Sequence, residues 1–337
     1  LATRSKYMSA RVVTVFGASG FLGTSVVRAL VKRDYRVLAA VRRPDLAGHL
    51  QPLGYVSQIH ALQANLRFPD SIANAVREAD AVVNLVGILQ PTGRQTFSSV
   101  QAEGAGAVAR AAVARGIERV VHVSAIGADA SSPSAYGRTK AQGEAAVLAA
   151  CPGAVILRPS IIFGPGDSFF NRFAALARMT PVIPLAYPDT RFQPVFVGDV
   201  AEAVARAVDG ELQGGATYEL GGPEVLSFRE LVQFTLDHID RHRRIIPLSP
   251  GAARTQATVM ETLDKLLLGF LPDDLKLTRD QLLLLQRDNV VSPEARREGR
   301  TLEGMGISPD ALEAIVPSYL VRFRARGQFS QPGHNKL

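Results

Sequence analysis

The stretch that decides the fold is Val12-Val13-Thr14-Val15-Phe16-Gly17-Ala18-Ser19-Gly20-Phe21-Leu22-Gly23, an apolar run that passes straight into three glycines and then into a helical pattern. Strand, tight turn and helix in that order read as a nucleotide-binding βα turn. Gly17 lets the chain turn, Gly20 lets the backbone approach a pyrophosphate with no Cβ in the way, and Gly23 lets the helix pack closely on the strand. The phosphates would then lie at the positive end of the helix that starts near Gly20, with Ser19, Phe21 and Leu22 around them. Glycines at this density also occur in ordinary loops; the strand before and the helix after carry the functional reading.

Outward from this turn the periodicity repeats. Strands are predicted near 11–16, 36–41, 57–62, 80–86, 117–123 and 153–158, with helices near 20–33, 69–78, 95–115 and 135–150. Such alternation predicts an α/β fold, a doubly wound parallel sheet of Rossmann type, with ligand at the carboxyl ends of the strands. Beyond about residue 160 the alternation breaks at Gly164-Pro165-Gly166, and Pro181, Pro184, Pro188 and Pro194 punctuate short segments. A helix at 200–208 and a strand at 217–220 return to the sheet pattern. The expected division is therefore a dinucleotide-binding domain over 11–160 with returning segments near 195–222, and a smaller, mostly helical, interleaved C-terminal lobe over 161–330. Residues 1–10 read as an N-terminal extension. They carry Arg4 and Lys6 without the apolar core of a secretory signal, so export is not expected. The start at Leu1 with Met8 just before the first strand fits either a processed remnant or an upstream start.

The 337 residues are 47% hydrophobic with a net charge of +7, and the pI is near 9.8. No apolar run approaches the roughly 18 residues of a membrane span, which points to a soluble or peripherally attached protein. The single cysteine, Cys151, excludes an internal disulfide and suits a reducing compartment. The basic balance favours an acidic partner, an anionic membrane surface or a phosphorylated ligand. Its arginines are scattered, with local clusters at 241–244, 296–297 and 322–326 and no basic tail, so nucleic acid is not an expected partner. No metal site is expected.

An acidic residue normally closes the second strand of such a fold and binds the adenosine ribose; here Val41-Arg42-Arg43-Pro44 stands there. A carboxylate repels a 2′-phosphate and a guanidinium binds it, so NADP(H) is expected, with Arg42 or Arg43 on that phosphate. The alternative is that both arginines are solvated loop residues. Asn65 and Leu66 after the third strand are placed to line an adenine pocket, and Val86-Gly87 after the fourth lets the cofactor pass close to the backbone. The fifth strand ends at Ser124, and Tyr136 and Lys140 follow at i and i+4 on a helix, hence on one face. An ammonium beside a phenol favours phenolate, which would make Tyr136 a general acid or base with Ser124 holding a substrate oxygen.

Gly17-x-x-Gly20-x-x-Gly23, Ser124, Tyr136-x-x-x-Lys140, Arg158 to Gly166 and Val195 to Ala201 together resemble the extended and atypical short-chain dehydrogenases over residues 11 to 222. That resemblance implies that Pro159, Ile161 and Ile162 border a nicotinamide. Asn84 to Leu89, Asp167 to Phe173, Leu277 to Gln281, and Asp288 to Val291 in a tail running to Phe323 give a narrower resemblance, over nearly the whole chain. It is to the NADPH-binding accessory subunits of respiratory complex I in their alphaproteobacterial form. This implies NADPH held as a structural group off the electron path and contact with other subunits of the peripheral arm near the membrane. It also implies a position on the cytoplasmic face of a bacterial inner membrane, or on the matrix side in a mitochondrion. The leucine-rich segments 259–271 and 282–285 and the stretch 312–329 are candidate contact regions, with Arg322, Arg324 and Arg326 facing acidic lipid or an acidic subunit. On this reading Ser124, Tyr136 and Lys140 are retained without being used. The competing readings are a free-standing NADP-dependent reductase, epimerase or dehydratase, told apart by turnover of the isolated chain, and an RNA-binding relative resting on the pI alone.

Overall fold

The computed structural model describes residues 11–266 and 278–324, except for the side chains of 259–266. The expected N-terminal extension, residues 267–271 of the leucine-rich segment 259–271, and residues 325–329 of the stretch 312–329, Arg326 among them, lie outside the described residues. The described residues divide into two compact units, one made of residues 11–124, 139–157 and 201–218, the other of 125–138, 158–200, 219–266 and 278–324.

The first unit is built on a seven-stranded sheet. Its elements are β1 (Val12–Phe16), α1 (Phe21–Val31), β2 (Arg36–Val41), β3 (Ile59–Gln63), α2 (Pro69–Ala75), β4 (Ala81–Asn84), α3 (Glu103–Val113), β5 (Arg119–Val123), α4 (Ala135–Ala150) and β6 (Val155–Pro159). The strand order is β11-β6-β5-β4-β1-β2-β3, where β11 is Thr217–Leu220. The pairings from β3 across to β6 are parallel, and the reversal of order at β1 and β4 is where such sheets bind ligands. Valine-rich strands buried on both faces suit this arrangement. Phe16, Ile72, Val82, Val108, Ala109, Val120 and Ile156 form one core, while α1 buries Val26, Val27 and Leu30. The sequence predicted one helix over 95–115. Its start is instead wound as a π-helical turn, Ser98–Ala102, before α3 begins, and that turn buries Gln101, whose Nε2 donates to the Ile88 carbonyl at 2.7 Å.

The second unit holds β7 (Ile162–Phe163), α5 (Phe169–Met179), β8 (Val182–Ala186), β9 (Arg191–Phe192), β10 (Val195–Phe196) and the start of α6 (Val197–Asp209). After β11 come β12 (Leu226–Ser227), α7 (Phe228–His238), β13 (Arg244–Leu248), α8 (Pro250–Leu266), α9 (Arg279–Leu284), α10 (Pro293–Arg297) and α11 (Leu312–Leu320). Three two-stranded pairings, β10-β7, β12-β9 and β13-β8, accompany the helices. The sequence pattern does not reveal these pairings because each piece of the proline-punctuated region is short, and Pro184 itself sits in β8 opposite Ile246. Its core is aromatic: Phe170 meets Phe163 and Phe169 edge-on, and Phe192 meets Phe228. Asp167 ties this core together. Its carboxylate accepts from the Phe170 amide at 2.7 Å and from the Tyr319 hydroxyl. The tail residue Asn289 does the same elsewhere, donating to the Ile126 carbonyl at 3.0 Å and accepting from Ser160 Oγ at 2.6 Å.

Candidate functional site

The turn after β1 has the geometry its glycines require. Gly17 has φ +81°, a left-handed conformation that L side chains rarely adopt, and its amide donates to the Ala40 carbonyl at 3.1 Å. A Cβ on Gly23 would stand 2.2 Å from the Gly17 carbonyl oxygen, so only glycine lets α1 start this close to the turn. Gly20 caps α1 without a side-chain hydrogen bond, and the first turn of the helix holds no acidic residue. Ser19 and Gly20 are exposed, whereas Phe21 and Leu22 are half-buried. An uncapped helix N-terminus behind exposed backbone is an anion seat.

From there a lane of close backbone runs across the strand ends. A Cβ on Gly17 would meet Val86 Cγ2 at 3.3 Å, and one on Gly87 would meet Lys140 Nζ at 3.3 Å. Asn84, buried at the end of β4, fixes this exit by accepting the Val86 amide at 3.1 Å through Oδ1. Its other amide atom, Nδ2, therefore faces His122 Nδ1 at 3.2 Å and donates to it. That leaves the imidazole proton on Nε2. Burial, with Lys140's charge adding to it, pushes His122 down to about 3, so the ring stays neutral. His122 Nε2 and Ser124 Oγ are buried polar atoms with no hydrogen-bond partner among the described residues. Lys140, on α4, donates to the Val123 carbonyl at 3.3 Å, and burial lowers its amine to about 8.

Tyr136 stands one turn before Lys140 on α4. It is half-buried, and desolvation pushes its hydroxyl up to about 12. The expectation that Lys140 would favour a phenolate is thereby corrected: burial penalises the phenolate, and burial lowers the ammonium as well. The first turn of α4 is held by Asp280, whose carboxylate accepts from Ser134 Oγ at 2.8 Å, the Ala135 amide at 2.6 Å and the Tyr136 amide at 3.2 Å. Thr278 and Gln281 close a capping box around it.

The structure separates the two arginines after β2. Both are exposed, but Arg43 is paired with Asp45 at 2.7 Å, whereas Arg42 makes no ion pair among the described residues. The Arg43 guanidinium is partly neutralised by that pair, and Arg42 keeps its full charge. Asn65 is half-buried, its Oδ1 accepting the Arg67 amide at 3.1 Å. Leu66 is buried in the core of the first unit, and a Cβ on Gly104 would come within 2.9 Å of it, so its side chain serves packing under α3. In the second unit Pro159 is buried and accepts the Ile126 amide at 3.0 Å; Ile161 accepts the Val195 amide at 2.9 Å, and Ile162 pairs with Val195. Sequence reading missed His122, Gln101 and Asp280 as parts of this arrangement. A histidine in an otherwise valine-rich buried strand was the available signal for the first; the others carry no local signal.

The strand–turn–helix with its open N-terminus, together with a buried serine just after β5 and a buried lysine on α4, defines a dinucleotide-binding α/β protein. The chain matches the family described as RmlD substrate binding domain over residues 11–262, and it belongs to this NAD(P)-binding, RmlD-like group of atypical short-chain dehydrogenases. It is 33% identical to the mitochondrial NADH dehydrogenase [ubiquinone] 1 alpha subcomplex subunit 9 of Arabidopsis thaliana, over 95% of this chain and 80% of that protein. Similarity to the ceramide reductase of Caulobacter vibrioides is 34% identity over 56% of this chain and 58% of that one. The NADPH-dependent quinone oxidoreductase QOR2 of Escherichia coli shares the fold, with a TM-score of 0.70 and 20% identity over 91% of this chain and 99% of that chain. The residues present fit a dinucleotide: the glycine cradle admits phosphates, and Ser124 offers a buried hydroxyl that no group among the described residues satisfies.

Proposed function

We propose that this chain is an accessory subunit of NADH:quinone oxidoreductase that holds NADPH as a structural group and supports assembly of the peripheral arm near the membrane. The observation that carries this reading is coverage. Likeness to the complex I subunit extends over 95% of the chain, against 56% for the ceramide reductase. Gly17, Ser19, Gly20, Phe21, Leu22 and Gly23 would hold the pyrophosphate, Arg42 the 2′-phosphate, and Val86 and Gly87 the central ribose and phosphates. Ser124, Tyr136 and Lys140 would lie toward the nicotinamide, with Pro159, Ile161 and Ile162 bordering it. Bound NADPH would supply a hydride donor, and Tyr136, whose hydroxyl burial pushes up to about 12, would stay a neutral phenol beside it at neutral pH. A group that binds only the native state stabilises it by roughly 4 kcal/mol at a thousand times its dissociation constant.

Gentle membrane solubilisation followed by native electrophoresis tests the reading, together with identification of the nucleotide released from the purified chain. Co-migration with the other subunits and release of NADP(H) are expected; a wholly soluble monomeric pool, or release of NAD(H) or a flavin, overturns it. The second reading, a free-standing reductase, is favoured by the likeness to ceramide reductase and by the retained serine, tyrosine and lysine. Tyr136→Phe separates the two. It leaves quinone reduction by the assembled complex nearly unchanged on the subunit reading, and abolishes turnover of the isolated chain on the other.

A further inference from the structure

Two arginine clusters far apart in sequence are brought onto one surface of the second unit. Arg243 Nε donates to the Ala177 carbonyl at 2.8 Å, at the last turn of α5 beside Arg178. Arg241 Nε donates to the Phe323 carbonyl at 3.1 Å, and Arg324 Nε returns to the His238 carbonyl, the last of α7, also at 3.1 Å. Carbonyls at the ends of α5 and α7 attract cations, which explains where Arg243 and Arg324 sit, and Arg241 meets the last carbonyl of the short turn Val321–Phe323 in the same way. It does not explain the others: Arg178 and Arg244 are exposed and bind no acidic or other side chain among the described residues. None of the five is in an ion pair there. The acids on the adjoining turn are Asp237, already accepting from Gln233 at 2.8 Å, and Asp240, so positive charge is in excess.

Apolar side chains stand among these charges. Met179 is 70% exposed and Ile246 45% exposed. Arg244 pairs with Val182, and its amide donates to the Pro181 carbonyl at 3.2 Å, which brings β13 beside the segment that follows Met179. Arg244 and Ile246 share one face of β13 by strand alternation. Unpaired guanidinium groups flanking exposed aliphatic side chains match a lipid interface, where phosphates lie above hydrocarbon. A nucleic acid would satisfy the charges but has no counterpart for methionine and isoleucine, whereas stacking aromatics are what single strands use.

We propose that this surface, at the ends of α5 and α7 and the start of β13, docks on an anionic lipid surface, with Arg178, Arg241, Arg243, Arg244 and Arg324 on headgroup phosphates and Met179 and Ile246 entering the interface. It extends the proposed role by assigning the membrane-facing surface. Its test contains no other subunit, so failure here leaves the assembly reading standing.

The purified full-length chain is sedimented with phosphatidylcholine vesicles with and without phosphatidylglycerol. Binding is expected only to the anionic vesicles and is lost at high salt, where screening shortens to about 3 Å at 1 M. Arg178→Glu with Arg244→Glu lowers the partition coefficient at least about thirtyfold, at roughly fivefold per arginine. Both side chains are exposed and make no hydrogen bond or ion pair among the described residues, so the cost to folding is confined to the weak helix-end attraction at Arg178. The control is Arg28→Glu with Arg115→Glu, exposed in the first unit, which changes net charge equally and should leave binding within a few-fold. Equal loss in both variants would mean that net charge alone acts and overturns the proposal. Indifference to phosphatidylglycerol overturns it as well, as does patch-dependent capture of a single-stranded RNA without vesicle binding.

Discussion

Gly23→Ala separates the two structural demands folded into one glycine motif. The added Cβ would lie 2.2 Å from the Gly17 oxygen, 2.5 Å from the Ala18 oxygen and 2.6 Å from the Ala18 carbonyl carbon. All three are backbone atoms of a turn whose φ at Gly17 is +81°, so the neighbour cannot swing away and α1 must move by about 1 Å. That movement lifts Val26, Val27 and Leu30, each fully buried, off the sheet. A gap of 0.5–1 Å forfeits roughly a quarter to a half of each contact's attraction. Overpacking of this kind costs about 1–3 kcal/mol, and backbone opposition puts it at the upper end. Alanine's better helix propensity returns about 1 kcal/mol. The expected net loss is about 2 kcal/mol. With slopes of roughly 1–3 kcal/mol/M, the urea midpoint of the nucleotide-free protein falls by about 1 M at unchanged slope. Gly20→Ala is the comparison: its Cβ would meet the Gly17 oxygen alone, at 3.3 Å, and its φ of −78° suits alanine. Its nucleotide-free midpoint should move by no more than the roughly 0.5 kcal/mol of an ordinary surface change, whereas Gly20→Val places a branched side chain in the phosphate seat and should abolish nucleotide retention. An unchanged midpoint for Gly23→Ala, or an equal loss for Gly20→Ala, would refute this division of labour.

Arg42→Asp should weaken NADPH by about 10–100-fold relative to NADH, the value of a charge-assisted hydrogen bond at the 2′-phosphate. Arg43→Asp should do less because Asp45 already holds that guanidinium; titration by nucleotide fluorescence compares them, and equal effects would return both arginines to candidacy. Asp280→Ala removes three hydrogen bonds from the start of α4 and should cost about 1–2 kcal/mol, seen as faster amide exchange in the first turn of α4, Tyr136 included; unchanged exchange would show that the cap is idle. His122 is held near 3 in the fold against 6.5 unfolded, so the unfolded chain binds the extra proton. Its contribution is intact above pH 6.5 and is lost as pH falls toward 3. Wild type should therefore lose stability relative to His122→Gln between pH 7 and pH 4, and a pH-independent difference in urea midpoint would contradict the buried neutral ring.

The sequence by itself determined the repeating part of this protein. Glycine spacing and the valine-rich runs placed β1 and α1, β2 matches its predicted span of 36–41, and α4 matches 135–150, because each rests on contacts within a few residues or on hydrophobic period. The glycine turn and the position of Ser124 were legible for the same reason. What only the tertiary structure decided are the facts that join distant residues. Packing of α3 turns Leu66 into core. Asn84 fixes the tautomer of His122 from another strand, burial reverses the expected acidity of Tyr136, and Asp280 holds a helix that begins 145 residues earlier. Charge, desolvation and hydrogen bonding depend on which atoms meet, and periodicity along a chain carries no record of those meetings.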